Sequence, residues 1–302
     1  MAPTPVSPPC HALVLDVGGS HVASAVVHLE QRCLLPHSLH TLAIHPEATG
    51  AQLLDTWGQA ALLAWKAAGQ PALTHLGVAM PGPFDYERGI SLLQHKFADL
   101  YQQPVGPQLQ QRLAIPGLTL RFGNDAGLFT LGEVWAGAAM GYTRVMGVTL
   151  GTGLGGGFVD HGQVLYHHPQ IPPEGAIWNL PYRQGIAEDW VAGPALTRQF
   201  AQQTGQTLPP VEIAALAQTG HPKALETLAA LGDHLGQILK PWIERFRPDC
   251  VVVGGNVARA WPYFCLPLLQ SLAPLTQVKV SLLLTQANLL GAAALQASKE
   301  KP

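Results

Sequence analysis

Cysteine and charge are what this chain has least of. Its 302 residues include four cysteines, Cys10, Cys33, Cys250 and Cys265, none of them in a C-x-x-C pair. A chain of this length has core enough to need no disulfide staples, and so few thiols fit a reducing cytoplasm. Charged residues make up only 12%, the net charge is −2, and Lys and Arg form no run. That excludes a nucleic-acid surface. Long apolar runs are missing too. The longest uncharged one, "VMGVTLGTGLGGGFV", is too short and too rich in glycine to span a bilayer. The opening "MAPTPVSPPCHA" has neither a basic n-region nor an apolar h-region, so it reads as a short disordered leader and not as a signal peptide. A soluble cytoplasmic protein is expected, with no membrane partner.

What the chain does have is apolar residues, 47% of the total. That supplies one large domain or two ordinary ones and excludes global disorder. From Ala12 to Glu30 the pattern is strand, glycine turn, strand, and "HSLHTLAIH" adds another strand. "ATGAQLLDTWGQAALLAWKAAG" places Leu53, Leu54, Trp57 and Ala61 at helical spacing, with Thr49 as cap and Gly69 and Pro71 as stops. "LTHLGVAM" reads as a buried strand running into the turn "PGPFD". The order is βββαβ, antiparallel first and then a right-handed crossover. About 130 residues on, "RVMGVTLGTGLGGGFVDHGQVLY" repeats the strand–turn–strand theme. A long helix with Pro241 inside it, expected to kink there, then a strand "CVVVGG" and a further helix from "NVARAWPYF" complete the second half. Two similar halves imply a cleft.

The glycine turns suggest chemistry. A turn without Cβ atoms lets backbone N–H groups approach an anion. "DVGGS" offers Gly18, Gly19 and the Ser20 hydroxyl; "LGTGLGGG" offers Gly151, Thr152 and Gly153. Asp16, at the end of a buried strand, is placed to hold magnesium, directly or through water. An ordinary hairpin explains the first turn equally well when it is taken alone. The second copy in a similar context favours a polyphosphate grip. "GTGLGG" also fits the dinucleotide pattern G-x-G-x-x-G, but a helix should follow it and strand-like residues do. "RFGNDAGLF" sets Asn124 and Asp125 at a strand end where a helix begins. Both are good N-caps. Their position between the two glycine meanders makes Asp125 the candidate base for phosphoryl transfer to a hydroxyl, a reaction that needs positioning, charge neutralisation and one proton acceptor.

Together the motifs resemble the ROK family (repressors, open reading frames and kinases), a branch of the sugar kinases with the actin and hexokinase fold. The matching stretches run in order: "LVLDVGGSHVASAVV", "LGVAMPGPFDYERGI", "GNDAGLFTLGE", "GVTLGTGLGGGFVDHGQVL", "GIAEDWVAGPAL", "VVVGGNVARAW" and "LLGAAALQ". The resemblance implies an α/β fold of two actin-like, ribonuclease-H-like domains, built from duplicated βββαβα units around a cleft. The expected division is a leader (1–11), a first domain (12–121) on which a C-terminal helix (288–300) packs back, and a second domain (122–287). It makes Asp16 to Ser20 the first phosphate loop, Gly151 to Gly153 the second, and Gly254, Gly255 and Asn256 the loop against adenosine. Asp125 matches the catalytic base and Asn124 a sugar-hydroxyl ligand. Gly82 lies in the matching sugar-side turn. Glu188 takes the place of the acid in a G-C-L-E motif, and Glu174 that of the acid in E-x-G-H. Carboxylates suit a sugar because each accepts two hydroxyl hydrogen bonds. Taken alone, either one is as well explained as a solvated loop acid.

One departure stands out. The family usually carries a structural zinc held by the histidine of E-x-G-H and three cysteines. Here Ile177 stands in the histidine's place and no cysteine lies between Cys33 and Cys250. A closed zinc site needs four ligands, so no zinc is expected there, and Trp178 and Tyr182 are expected to pack in its stead. The histidines of "HSLHTLAIH" and "HGQVLYHH" fit strand alternation better than a ligand set. The implied activity is an ATP- and magnesium-dependent hexose kinase acting on the 6-hydroxyl of glucose. Alternatives are a kinase for fructose or N-acetylmannosamine, or a non-catalytic sugar sensor. A sugar-responsive repressor would need a winged helix-turn-helix ahead of Ala12, where no room is seen. Homodimers are common in the family.

Overall fold

The computed structural model describes residues 10–297 except Pro46, His95 and Pro274. Most of the expected leader, and the end of the expected C-terminal helix from 298 on, lie outside these residues. The chain divides into two compact units, 1–128 with 286–302 and 129–285.

The first unit opens with the antiparallel pair β1 (His11–Val17) and β2 (His21–His28). Two short strands, β3 (Cys33–Leu34) and β4 (His40–Ala43), pair with opposite ends of β2. Helix α1 (Gly50–Ala67) follows, and β5 (His75–Met80) pairs parallel with β1. A small hairpin, β6 (Phe84–Asp85) with β7 (Ile90–Ser91), and helix α2 (Val105–Leu113) lead to β8 (Thr119–Asn124), parallel to β5. The sheet order β3-β2-β1-β5-β8 is the expected antiparallel start and parallel continuation.

The cap expected at Thr49 is formed, and the structure makes it a capping box with Gln52. The Thr49 hydroxyl accepts from the Gln52 N–H at 3.4 Å, and Gln52 Oε1 accepts from the Thr49 N–H at 2.8 Å. Leu53, Leu54, Trp57, Ala60, Ala61 and Ala64 form the buried stripe of α1. It covers the sheet face carrying Leu13, Leu15, Leu76 and Val78. The alternate residues of β5, Gly77 and Ala79, point the other way. There α9 (Ala287–Ala297) packs, the last helix among the described residues. The approach is close: a Cβ on Gly77 would lie 2.2 Å from the Ala292 carbonyl oxygen.

Helix α3 (Asp125–Ala136) carries the chain from the first unit into the second. The second unit repeats the pattern. β9 (Arg144–Leu150) and β10 (Leu154–Asp160) form an antiparallel pair, extended by β11 (Gln163–Val164). A small hairpin, β12 (Pro181–Tyr182) with β13 (Gly185–Ile186), precedes helices α4 (Glu188–Val191), α5 (Gly193–Thr204), α6 (Pro210–Gln218) and α7 (Pro222–Phe246), the last running through Pro241. β14 (Cys250–Gly254) lies parallel to β9, helix α8 (Trp261–Leu272) follows, and β15 (Gln277–Val280) closes the sheet in the order β11-β10-β9-β14-β15. Hairpin, then parallel strands, is the topology of the first unit over again. Even the tight helix contact recurs, since a Cβ on Gly147 would meet Thr130 Oγ1 of α3 at 1.9 Å.

Glu133 of α3 is fully buried, a residue the sequence did not single out. Its carboxylate accepts from the Ala138 N–H at 2.7 Å, the Leu283 N–H at 3.2 Å and the Ser281 hydroxyl. A buried charge is tolerable on these terms, with several donors aimed at it.

Gly77→Val should destabilise the protein by about 3 kcal/mol or more, because the atom it meets is backbone and α9 must shift to admit it. Urea unfolding followed by circular dichroism measures this; an unchanged midpoint would mean that α9 does not depend on the contact.

Candidate active site

In the first unit, the candidate residues gather at one end of the sheet. The β1–β2 turn is closed by the Gly18 N–H donating to the His21 carbonyl at 2.9 Å. Gly19, Ser20 and His21 are exposed. Neither Gly18 nor Gly19 takes a positive φ; room is short at Gly18, where a Cβ would lie 3.0 Å from the His21 carbonyl oxygen. A Cβ on Gly19 would lie 2.8 Å from Lys96 Cε and 3.0 Å from its Nζ. Asp16 accepts a 3.0 Å hydrogen bond from Asn288 Nδ2 of α9. Burial pushes its carboxyl up to about 6; the Asn288 hydrogen bond opposes the rise, Asp125 adds to it and His21 opposes it.

Asp125 is the first residue of α3. Its Oδ1 accepts from the Ala126 N–H at 2.8 Å. Burial raises its pKa, against the pull of that hydrogen bond and of the Lys96 charge. The capping role belongs to Asn124, whose Oδ1 accepts from the Gly127 N–H at 3.1 Å. The Asn124 amide also donates to the Tyr86 hydroxyl at 3.1 Å, which donates to the Met80 carbonyl. Gly82 stands beside them, where a Cβ would lie 3.2 Å from Tyr86 Oη and 3.7 Å from Asn124 Nδ2. Asp16, the first glycine turn, Gly82, Asn124 and Asp125 thus form one neighbourhood, joined by three residues the sequence did not reveal: Tyr86, Lys96 and Asn288. Asn288 meets Asp16 from 272 positions away, and Lys96 is a solitary cation in a loop. Neither carries a local signal.

In the second unit, β10 follows the glycine turn at once, so the helix that a dinucleotide fingerprint requires is absent. The Gly151 carbonyl accepts from the Gly193 N–H at 2.8 Å, which ties the turn to the start of α5. Thr152 is exposed. Gly255, at φ +86, presses on the end of β9, since a Cβ there would lie 2.3 Å from the Leu150 carbonyl oxygen. Gly254, Gly255 and the exposed Asn256 therefore adjoin the Gly151–Gly153 turn. Glu188 joins them: its Oε2 accepts from the Leu154 N–H at 2.8 Å and lies 2.6 Å from where a Gly153 Cβ would be. Glu174 is not brought in. It is exposed, at φ +57, and makes no hydrogen bond among the described residues.

The loop from Glu174 to Glu188 contains no cysteine or histidine, so its donor set does not fit a four-ligand zinc. Ile177 is fully buried and lies against Gly156. Tyr182 packs as expected, against Trp190 and His234, with its hydroxyl 2.9 Å from His234 Nδ1 and donating to Gln237 at 2.8 Å. Trp178 does not; it is 45% exposed, because the loop turns its ring to solvent while Ile177 fills the core. Among the described residues, the one metal-ligating cluster is Cys10, His11 and His28, at the end of β1 away from the glycine turn. No helix among the described residues is long and apolar enough to cross a membrane.

The ROK family model matches residues 12–299. A glucokinase of Thermotoga maritima is 28% identical over 253 residues, 73% of this chain and 78% of its own length. An N-acetylgalactosamine kinase of Shewanella is 28% identical over 199 residues, 61% of this chain and 63% of its own. The solved ROK glucokinase of Streptomyces griseus, in complex with glucose and AMPPNP, is 25% identical with a TM-score of 0.75, covering 94% of this chain and 98% of that one. With its two sheets of the same actin-like topology and a family match over nearly all its length, the chain belongs to the ROK family.

Proposed function

We propose that this sugar kinase of the ROK family transfers the γ-phosphoryl group of ATP to a hexose hydroxyl, with the 6-hydroxyl of glucose as the favoured acceptor. One observation carries the reading: Asp125 is a desolvated carboxylate at the head of α3, close enough to Asp16 beside the first glycine turn for its charge to raise the Asp16 pKa. A carboxyl whose pKa is raised by burial is a stronger base than a solvated one. Asp125 accepts the hydroxyl proton as the sugar oxygen attacks the γ-phosphorus, and ADP leaves. The N–H groups of the Gly18–Ser20 and Gly151–Gly153 turns hold phosphate oxygens, and Gly255 and Asn256 border the nucleotide base and ribose. The carboxylate of Asp16 fits a hard divalent cation and would hold the magnesium accompanying ATP, directly or through water; that ion would supply neutralisation of phosphate charge. Asn124 and Gly82 contact the sugar, with Glu188 as a further hydroxyl acceptor.

The glucokinase relatives support glucose, while the N-acetylgalactosamine kinase relative supports an N-acetylhexosamine. A non-catalytic sensor is favoured by two features: Glu174 stands apart, and Glu188 already engages one oxygen with Leu154.

ADP release across hexoses and N-acetylhexosamines tests the reading. Asp125→Asn should lower turnover about 10²–10⁴-fold. Full activity in that variant removes Asp125 as the base, and no turnover on any sugar favours the sensor.

The acid limb of kcat/KM should lie near pH 6, because Asp16 must be ionised and burial holds its carboxyl at about 6. A limb near pH 4 would contradict this. Stability follows the opposite sense. A folded-state pKa raised above the unfolded value means that the native protein is favoured at low pH and loses that advantage as pH rises from about 4 to about 6. Asp16→Asn should therefore melt higher than the parent at pH 7, with the gap closing toward pH 4, while its activity falls.

A further inference from the structure

Lys96 is the cation of the first unit's site, and neither proton transfer nor magnesium binding gives it a part. It stands half-buried in the loop after β7. It makes no ion pair or hydrogen bond with any described residue, and the ring it faces is that of Phe97, 5.5 Å from Nζ to centroid. Its chain lies over Gly19, so closely that a methyl group at that residue would collide with Cε and crowd Nζ. Its charge is felt by Asp125. The ammonium is therefore held against the phosphate turn on one side and within electrostatic reach of the candidate base on the other.

An ammonium in such a place needs an anion to justify its partial desolvation, and no carboxylate among the described residues bonds to it. We propose that Lys96 is a catalytic residue that holds the oxygens of the transferring phosphoryl group, and that residue 19 is glycine in order to seat it. The inference rests on the kinase reading. In the reaction the sugar oxygen forms the new bond to phosphorus, the bond from phosphorus to the ADP oxygen breaks with its electron pair going to ADP, and the hydroxyl proton goes to Asp125. Lys96 keeps its own protons throughout. It neutralises charge on the equatorial oxygens, where preorganised donors have their largest effect. It also counters the repulsion between the incoming phosphate and the two carboxylates, Asp16 and Asp125. The absence of a positive φ at Gly19 matters here: that glycine is not required by the turn's backbone, and the space a Cβ would take is occupied by the end of the Lys96 chain, which a larger residue would push off the turn.

The test compares Lys96→Met, Lys96→Arg, Gly19→Ala and the double variant Gly19→Ala/Lys96→Met. Lys96→Met should lower kcat about 10²–10³-fold while the KM for sugar changes less than about threefold, with partial recovery in Lys96→Arg. Gly19→Ala should also lower kcat, yet cost nothing further in the Lys96→Met background. Calorimetry supplies a readout that needs no turnover: Lys96→Met should weaken AMPPNP about tenfold and leave ADP unchanged. A Lys96→Met enzyme with parental kcat overturns the proposal, and so does an equal loss for ADP and AMPPNP. If the two substitutions act additively, the seating role of Gly19 is overturned. Should the parent protein turn over no sugar, the kinase reading fails by itself, and the AMPPNP-against-ADP difference still decides whether Lys96 meets a terminal phosphate.

Discussion

The close seat of α9 on β5 is the contact on which the first unit depends. Gly77 offers no Cβ, and the helix backbone comes down onto the strand at Ala292. Gly291 allows the same intimacy with the start of α3, since a Cβ there would lie 1.8 Å from the Leu128 carbonyl oxygen. The last helix among the described residues is thereby fixed against the first sheet. Asn288 comes with it, and Asn288 is the hydrogen-bond donor that Asp16 meets. Packing of small residues and the state of a site carboxylate are thus one matter. The second unit uses the same device at Gly147, beneath Thr130 of α3.

The electrostatics of the first unit follow from geometry. Asp16 ends an interior strand and Asp125 begins a helix that leaves the same sheet, so both carboxyls sit where apolar strands run out. Burial raises both, and the charge of Asp125 raises Asp16 further. The structure offsets this with modest means: an amide from Asn288, the Ala126 N–H, and the charges of His21 and Lys96. A site of this kind opposes stability and favours reactivity, the usual balance where a carboxylate must act as a base.

Much of the architecture is legible in short stretches of the chain. The strand–turn–strand pairs at both glycine motifs, the capped helix at Thr49, the parallel strand of "LTHLGVAM" and the repeat after about 130 residues all have local causes in alternation, capping and turn chemistry. Asp16, Asn124 and Asp125 stand out because they adjoin such punctuation. Lys96, Tyr86 and Asn288 do not, since nothing beside them in sequence marks them. Trp178 misleads for the same reason: an aromatic in a loop gives no sign of which way it faces, and Ile177 next to it takes the core position.

The sequence by itself determined the two glycine turns, the order of strands and the family, because these rest on patterns a few residues long repeated along the chain. Tertiary structure alone decided which groups share an environment. It gave Asp16 its partner from α9, set Lys96 over Gly19, committed one Glu188 oxygen to the second turn and left Glu174 in solvent. The physical reason is that desolvation and charge act through space, and the spacing between residues distant in sequence is set only when helices close on sheets.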